Sequence, residues 1–252
     1  VANLTDAQAK KFASLIKKHA VEEDDLPKRD PIDQLVVAFL QWNATAAQAD
    51  AAHERIMSQM VDANEVRVAY LHELLELVGE DYPQVHERLT RMDGAMQEIY
   101  IREYHWRPES IKDQAKKDQR AYLDSLPGTP SYIPASIMLL CFGAHALPVD
   151  DKLCEMLKAE KVLPEDATPA EAEPNLLRTL KAGEARGAHL AMQAWADATE
   201  WSTEPMPQAP PAKPPVAVTP AKKKTIRKKV TGKTTQAAKS TKKKPARVAK
   251  KK

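Results

Sequence analysis

Leu126-Pro127-Gly128-Thr129-Pro130-Ser131-Tyr132-Ile133-Pro134-Ala135-Ser136-Ile137-Met138-Leu139-Leu140-Cys141-Phe142-Gly143, followed shortly by Leu147-Pro148-Val149-Asp150, is the stretch on which the fold turns. A Leu-Pro-Gly turn opens the most apolar segment of the chain, and an aspartate stands where that segment ends. Ser131 to Phe142 reads as a helix at the centre of the core, because its apolar residues cover every face. Before the turn, Ser110 to Leu126 reads as a helix charged outside, with Ile111, Ala115, Tyr122 and Leu123 inward. The plainest reading of Leu-Pro-Gly is a helix-to-helix turn. Asp150, with Asp151, can cap a helix that carries Leu153, Met156 and Leu157, since an aspartate there accepts backbone N–H bonds.

Working outward, helices continue almost everywhere. Thr5-Asp6 can cap a helix to about Ala20 with Phe12, Leu15 and Ile16 on one face; Glu22 to Asp25 and Pro27 break it. Asp30-Pro31 starts a second helix, where the missing N–H of proline costs little, and Leu35, Val36, Phe39 and Leu40 form its buried face. A third helix after Ala44-Thr45 carries Ala49, Ala52, Ile56 and Met60. Short helices are expected around 64–79, 82–91 and 93–104. No alternating Val/Ile/Thr-rich run is bounded by turns, so the expected class is all-α. Cys141 and Cys154 lie in apolar-periodic stretches and read as two buried thiols in a reducing compartment.

The charge is divided along the chain. Residues 205–252 hold 16 Lys or Arg and no Asp or Glu; of 38 basic residues, 22 therefore remain beside all 35 acidic ones, a net of −13 for residues 1–204. The tail has almost nothing to bury and is expected to be disordered alone. The Pro-rich link before it is expected to be an extended spacer. Lys222, Lys223, Lys224, Arg227, Lys228, Lys229, Lys242, Lys243 and Lys244 are candidate phosphate contacts, since lysines on a flexible chain release counterions with little need for fixed geometry. Such a tail resembles those of linker histones and of some bacterial nucleoid proteins, though it can also solubilise the chain or fold back on the acidic body. No run of about 18 apolar residues is present, so no membrane helix is expected, and the N-terminus lacks an apolar signal segment. The seven histidines are scattered, and neither they nor the two cysteines have metal-ligand spacing.

The decisive stretch resembles the helix-hairpin-helix DNA glycosylase superfamily, endonuclease III in particular. There the family reads L-P-G-V-G-R-K-T-A, then an apolar helix with F-G near its end, then V-D. Here Phe142-Gly143 and Val149-Asp150 fall on those positions without a gap. The run from Asp30-Pro31 to Ala46 is similar, in register, to the family's second helix, and Asn43 stands where the family's glutamine fills the space left by a flipped-out base.

This resemblance implies two helical lobes with DNA between them: residues 28–146 with the hairpin, residues 147–204 as the C-terminal lobe, residues 1–27 as a helix packing on that lobe, and residues 205–252 as linker and basic tail. It implies Asp150 as the catalytic carboxylate that stabilises a sugar cation. It also implies Gly128, Thr129 and Ser131 as hairpin contacts to a DNA phosphate. Tyr132 occupies the position of the catalytic lysine, and a phenol cannot form the imine that strand cleavage requires. Some adenine-specific members carry tyrosine there, but they use a glutamate in the second helix; residues 34–43 hold none, and Asp33 is its only carboxylate, near the exposed start. Pro130 replaces the hairpin's second glycine and removes a donor. No cysteine follows Cys154, so no iron–sulfur cluster is expected, nor any other cofactor or metal.

Two functions are compatible with these residues. One is a DNA-binding protein on an endonuclease III-like scaffold, without lyase activity, anchored non-specifically by its tail. The other is a monofunctional glycosylase of base-excision repair that relies on Asp150. The net of −13 favours the first, because a DNA-wrapping cleft is normally basic; the retained Asp150 favours the second. Either places the chain in the cytoplasm with the nucleoid, or in a eukaryotic nucleus.

Overall fold

In the computed structural model, the pair of helices around the Leu-Pro-Gly turn is α7 (Lys116–Asp124) and α8 (Tyr132–Leu140). The structure describes residues 3–22 and 28–200; they lie within one compact unit, Val1–Val216, and the second unit, Ala217–Lys252, falls outside them. Before the hairpin come α1 (Asp6–Lys18), α2 (Pro31–Gln41), α3 (Ala46–Gln59), α4 (Ala63–Val68), α5 (Leu71–Val78) and α6 (Val85–Glu103). After it come α9 (Asp151–Ala159), α10 (Pro169–Leu177) and α11 (Ala185–Asp197). No strand occurs among the described residues, and the all-α class is observed.

Local chemistry explains the starts. Thr5 and Thr45 each form a capping box with the glutamine three residues on, and Asp30 caps α2 with proline at its first position. Such caps contribute about 1 kcal/mol each by satisfying orphan N–H groups.

Two apolar clusters organise the packing. In the first, α2 and α8 lie side by side, buried on nearly every face, and α3, α5 and α6 close around them. Phe39, Leu40, Ile133 and Ile137 are almost wholly removed from water, each contributing about 1.5–3 kcal/mol. One buried polar link, Gln34 Nε2 to Ser136 Oγ at 3.0 Å, sets the register of α2 on α8. The second cluster gathers Phe12 and Leu15 of α1 with Leu147, Val149, Leu153, Leu157, Leu176 and Met192. The chain passes from the first cluster to the second between Ala146 and Leu147.

Several expected elements differ. The break around 91–93 does not exist: α6 runs unbroken for 19 residues, and Leu89, Met92, Ala95, Met96 and Ile99 keep one buried face across it. The expected helix over 64–79 is two, separated at Ala69-Tyr70, whose extended backbone turns the chain into the capping interaction of Tyr70 with Glu73. The expected helix over Ser110 to Leu126 begins as a short 3-10 turn, Glu109–Ile111, and becomes α-helical only at Lys116. Ala115 is consequently exposed at the start of α7 rather than buried, while Ile111, Tyr122 and Leu123 do face the core. Met60 is only partly buried, at the end of α3. Cys154 is buried and Cys141 half-buried; both are free thiols that burial pushes up to about 12.

Candidate functional site

The hairpin turn depends on Gly128. Its φ is +67°, and a Cβ there would meet Arg91 Cγ of α6 at 3.3 Å, so side chains are opposed by both backbone and space. Thr129 is tucked in, its hydroxyl donating to the Pro127 carbonyl at 3.2 Å. The Pro130 and Ser131 carbonyls accept from Ile133 and Ala135 N–H. Ser131 sits at the start of α8 with helical backbone, and its side chain makes no capping bond.

Tyr132 follows as the first residue of α8. It is 3% exposed, and its hydroxyl has no hydrogen-bond partner. Burial, with Asp150 and Asp197 adding to it, holds the phenol well above its usual range. The group is therefore a neutral filler of the junction, with no reactive amine to offer.

Asp150 and Asn43, far apart in sequence, meet across the two clusters. Asp150 Oδ1 accepts from Leu153 N–H at 2.8 Å, capping α9, and its Oδ2 accepts from Asn43 N–H at 3.1 Å. Asn43 stands in the left-handed region, φ +55°, which asparagine tolerates better than most residues. Its side chain reaches back to the same helix end: Oδ1 accepts from Asp151 N–H (3.1 Å) and Lys152 N–H (3.3 Å), and Nδ2 donates to Asp151 Oδ2 at 2.9 Å. The first turn of α9 is thus capped twice, by its own Asp150 and by a residue from the end of α2. Burial outweighs the two N–H bonds and raises the Asp150 carboxyl to about 6.

Residues that the sequence reading passed over complete this junction. Arg88 of α6, fully buried, donates from Nη1 to the carbonyls of Phe39, Leu40 (3.1 Å) and Trp42 (2.6 Å), and from Nε and Nη2 to Pro83 (3.2 Å each). It closes the C-terminal end of α2, where carbonyls lack helical partners, and so holds the Trp42–Asn43 turn. Burial lowers its pKa to about 10. Tyr82 adds a bond from its hydroxyl to Leu40 O at 2.6 Å. Asp197, at the end of α11, accepts from Ala46 N–H (3.2 Å to each oxygen) and from Gln193 Nε2 (2.7 Å). It therefore sits at the N-terminus of α3, a mirror of what Asn43 does for α9. A lone arginine on a helix face and an aspartate at a chain-distal helix end carry no local signature, which is why sequence alone did not single them out.

Beside the junction lies a cavity of about 280 Å³, lined among others by Asn43, Thr45, Gln48, Lys152, Asp197 and Glu200. Among the described residues no three His, Cys, Asp or Glu side chains converge as a metal-binding group, and no helix is long and apolar enough to cross a membrane. The structure therefore brings together Asn43, Asp150 and Tyr132, with Gly128, Thr129 and Ser131 on the adjoining turn. Lys222, Lys223, Lys224, Arg227, Lys228, Lys229, Lys242, Lys243 and Lys244 lie outside the described residues.

No protein-family model matches the chain, and no curated protein matches it by sequence. Solved structures do. A trapped endonuclease III–DNA covalent intermediate, in an estranged-adenine complex, superposes with a TM-score of 0.58 at 18% identity, covering 75% of this chain and 85% of that one. A non-covalent endonuclease III–DNA complex gives 0.58 at 19%, over 75% and 85%. A thermostable thymine-DNA glycosylase gives 0.55 at 19%, over 77% and 88%. At this identity the likeness is one of architecture, and the architecture is the all-helical, two-lobed fold of the helix-hairpin-helix DNA glycosylases.

Proposed function

We propose that this chain is a DNA-binding protein built on a glycosylase-like scaffold, that its basic C-terminal tail supplies most of the affinity, and that the scaffold does not carry out lyase chemistry at the Tyr132 position. The observation that carries this reading is the use to which the junction residues are put. Both Asp150 oxygens accept backbone N–H bonds, the Asn43 amide caps α9, and the Tyr132 hydroxyl is sealed away from solvent. Each side chain that resemblance nominates for base or sugar chemistry is engaged in, or enclosed by, the junction. The net of −13 over residues 1–204 opposes wrapping of a polyanion by the body, whereas the 16 cations of residues 205–252 favour it. The hairpin, with Gly128, Thr129 and Ser131, adds a phosphate contact weakened by Pro130, which has no N–H to give.

Titration of a labelled duplex against salt tests this. If the tail neutralises about 6–10 phosphates, affinity falls by about three to five orders of magnitude between 50 and 200 mM salt, with little dependence on sequence. A variant lacking residues 205–252 that keeps the affinity and its salt slope would remove the tail from the account. Base release from a lesion panel, abolished by Asp150→Asn at unchanged melting temperature, would turn the reading toward a monofunctional glycosylase.

A further inference from the structure

Six of the eight large apolar residues exposed among the described ones gather at one edge of the molecule: Val68, Tyr70 and Leu71, where α4 passes into α5, and Tyr100, Ile101 and Tyr104 at the end of α6. Arg67 joins the two groups. Its guanidinium lies 4.0 Å over the Tyr100 ring, its Nη1 donates to Gln97 Oε1 at 3.0 Å, and its carbonyl accepts from Gln97 Nε2 at 2.9 Å. Tyr70 stacks on His72 at 5.6 Å. Tyr104 is 89% exposed on a left-handed backbone, φ +52°, which a bulky residue seldom adopts. Single exposed apolar side chains need no explanation, but rings held in a contiguous patch mark an interaction surface. Two carboxylates flank the rings: Asp93 accepts from Gln97 Nε2 at 3.3 Å and Glu73 from Tyr70 N–H at 2.8 Å, both uncharged donors. The surface therefore suits an apolar partner that carries positive charge. Bases also stack on aromatic rings, but the grooves that hold them are positively charged, and Asp93 and Glu73 oppose a polyanion.

We propose that this patch is the docking site of the chain's own proline-rich segment, residues 205–216. Proline-rich sequences favour the polyproline II conformation, and in it they bind aromatic-lined surfaces at little entropic cost. The segment Pro205-Met206-Pro207-Gln208-Ala209-Pro210-Pro211-Ala212-Lys213-Pro214-Pro215-Val216 holds six prolines, one lysine and no acid. It matches the rings by shape and the two carboxylates by charge. Its starting point also fits. Glu200, the last described residue, lines the same cavity as Pro83, which lies just before the start of α6. A helix rises about 1.5 Å per residue, which puts Tyr100 about 23 Å along α6 from Val85. A polyproline chain advances about 3.1 Å per residue, so about eight residues beyond Glu200 cover that distance. This brings the proline-rich segment level with Tyr100 and Tyr104. The lysines of the DNA-binding reading lie mostly beyond this segment, so the docking does not rest on that reading.

Site-directed photo-crosslinking of the full chain tests this. The photoreactive residue p-benzoylphenylalanine replaces Tyr104 in one protein and Lys181, whose side chain is 88% exposed, in a reference protein. Each is irradiated dilute, alone and with a single-stranded oligonucleotide, and crosslinked peptides are mapped by mass from the monomer and dimer bands. The expected result, without oligonucleotide, is a crosslink within the monomer from position 104 to residues 205–216, at least fivefold more frequent than from position 181. It should fall to the level of position 181 when Pro207→Ala, Pro210→Ala, Pro211→Ala and Pro214→Ala are combined, with the melting temperature unchanged. If the chain altered at Tyr104 does not fold, the same probe at Tyr70 takes its place. Crosslinks to residues 205–216 no more frequent than from position 181 overturn the proposal. So do crosslinks found only between two copies, which would make the patch a dimer interface, and capture of the oligonucleotide without capture of the segment, which would make it a nucleic-acid platform.

Discussion

Helices α8 and α9 both begin at the junction of the two clusters, and they begin in opposite ways. The start of α9 is saturated: the side chains of Asp150 and Asn43 accept from Asp151, Lys152 and Leu153 N–H. The start of α8 has no side-chain cap from Ser131, and its first side chain buries a hydroxyl without a partner. The contrast separates two ways of building a helix end. The start of α9 is held by polar groups contributed from across the molecule, the start of α8 by apolar burial.

The clasp at α9 depends on the Trp42–Asn43 turn, and that turn depends on Arg88. Replacing Arg88 with methionine keeps much of the volume but strips four carbonyls of their donor. A loss of about 3–5 kcal/mol is expected, since buried charged hydrogen-bond networks are costly to break. Chemical denaturation would register it as a lower midpoint at unchanged slope. A loss under 1 kcal/mol would mean that the turn stands without Arg88.

Asp150 gives the clasp a pH dependence. Its carboxyl rises from 3.8 to about 6 on folding, so the protonated form is preferred in the folded state. Its favourable contribution is complete below about pH 4 and is lost as pH rises through 6. Two pKa units correspond to about 3 kcal/mol. Wild-type stability, measured relative to Asp150→Asn, should therefore fall by about 2–3 kcal/mol between pH 4 and pH 7. A difference that is flat with pH would show that the carboxylate is better solvated than its burial suggests. Asp33 and Asp197 shift in the same direction through burial, and taking the difference between the two proteins removes their share.

Much of the α8 side was legible in the sequence, and the reason is local. A Leu-Pro-Gly turn followed by an all-round apolar run can only be buried, and Ile133 to Leu139 are buried. Asp150 as a cap was equally legible, because a cap acts within three residues. What sequence could not supply were partners distant along the chain, 46 residues away for Arg88 and Trp42 and 151 for Asp197 and Ala46. Nothing near Asn43 says that it completes α9, nothing near Asp197 that it meets Ala46, and nothing near Arg88 that four carbonyls await it. The two glycines of this region differ: Gly94 lies on an open helix face that tolerates it, and Gly128 holds a positive φ that favours it.

Those two glycines test the hairpin against its neighbour helix with opposite signs. Gly128→Ala forces a Cβ into the left-handed region and against Arg91, and should cost about 1–2 kcal/mol. Gly94→Ala meets nothing within 4 Å and should stabilise by about 0.5–1 kcal/mol through helix propensity. Thermal melts of the two variants should move apart. Movement in one direction would mean that the turn at Gly128 can relax.

The smallest expected effect bears most directly on the bare start of α8. Tyr132→Phe removes one hydroxyl and leaves the ring. An unsatisfied buried polar group costs about 1–3 kcal/mol, whereas a satisfied one contributes about 1. Since the Tyr132 hydroxyl has no protein partner, its removal should leave stability unchanged or raise it by up to about 1 kcal/mol. The variant also tests the functional contrast, because the resemblance places this residue at the family's lysine position. If Tyr132→Phe loses stability by 1 kcal/mol or more, the phenol is bound by an enclosed water, and the start of α8 is as fully satisfied as that of α9. If stability holds while DNA affinity falls, the phenol reaches nucleic acid through an opening of the junction, and the division between a clasped helix and an enclosed one would not survive.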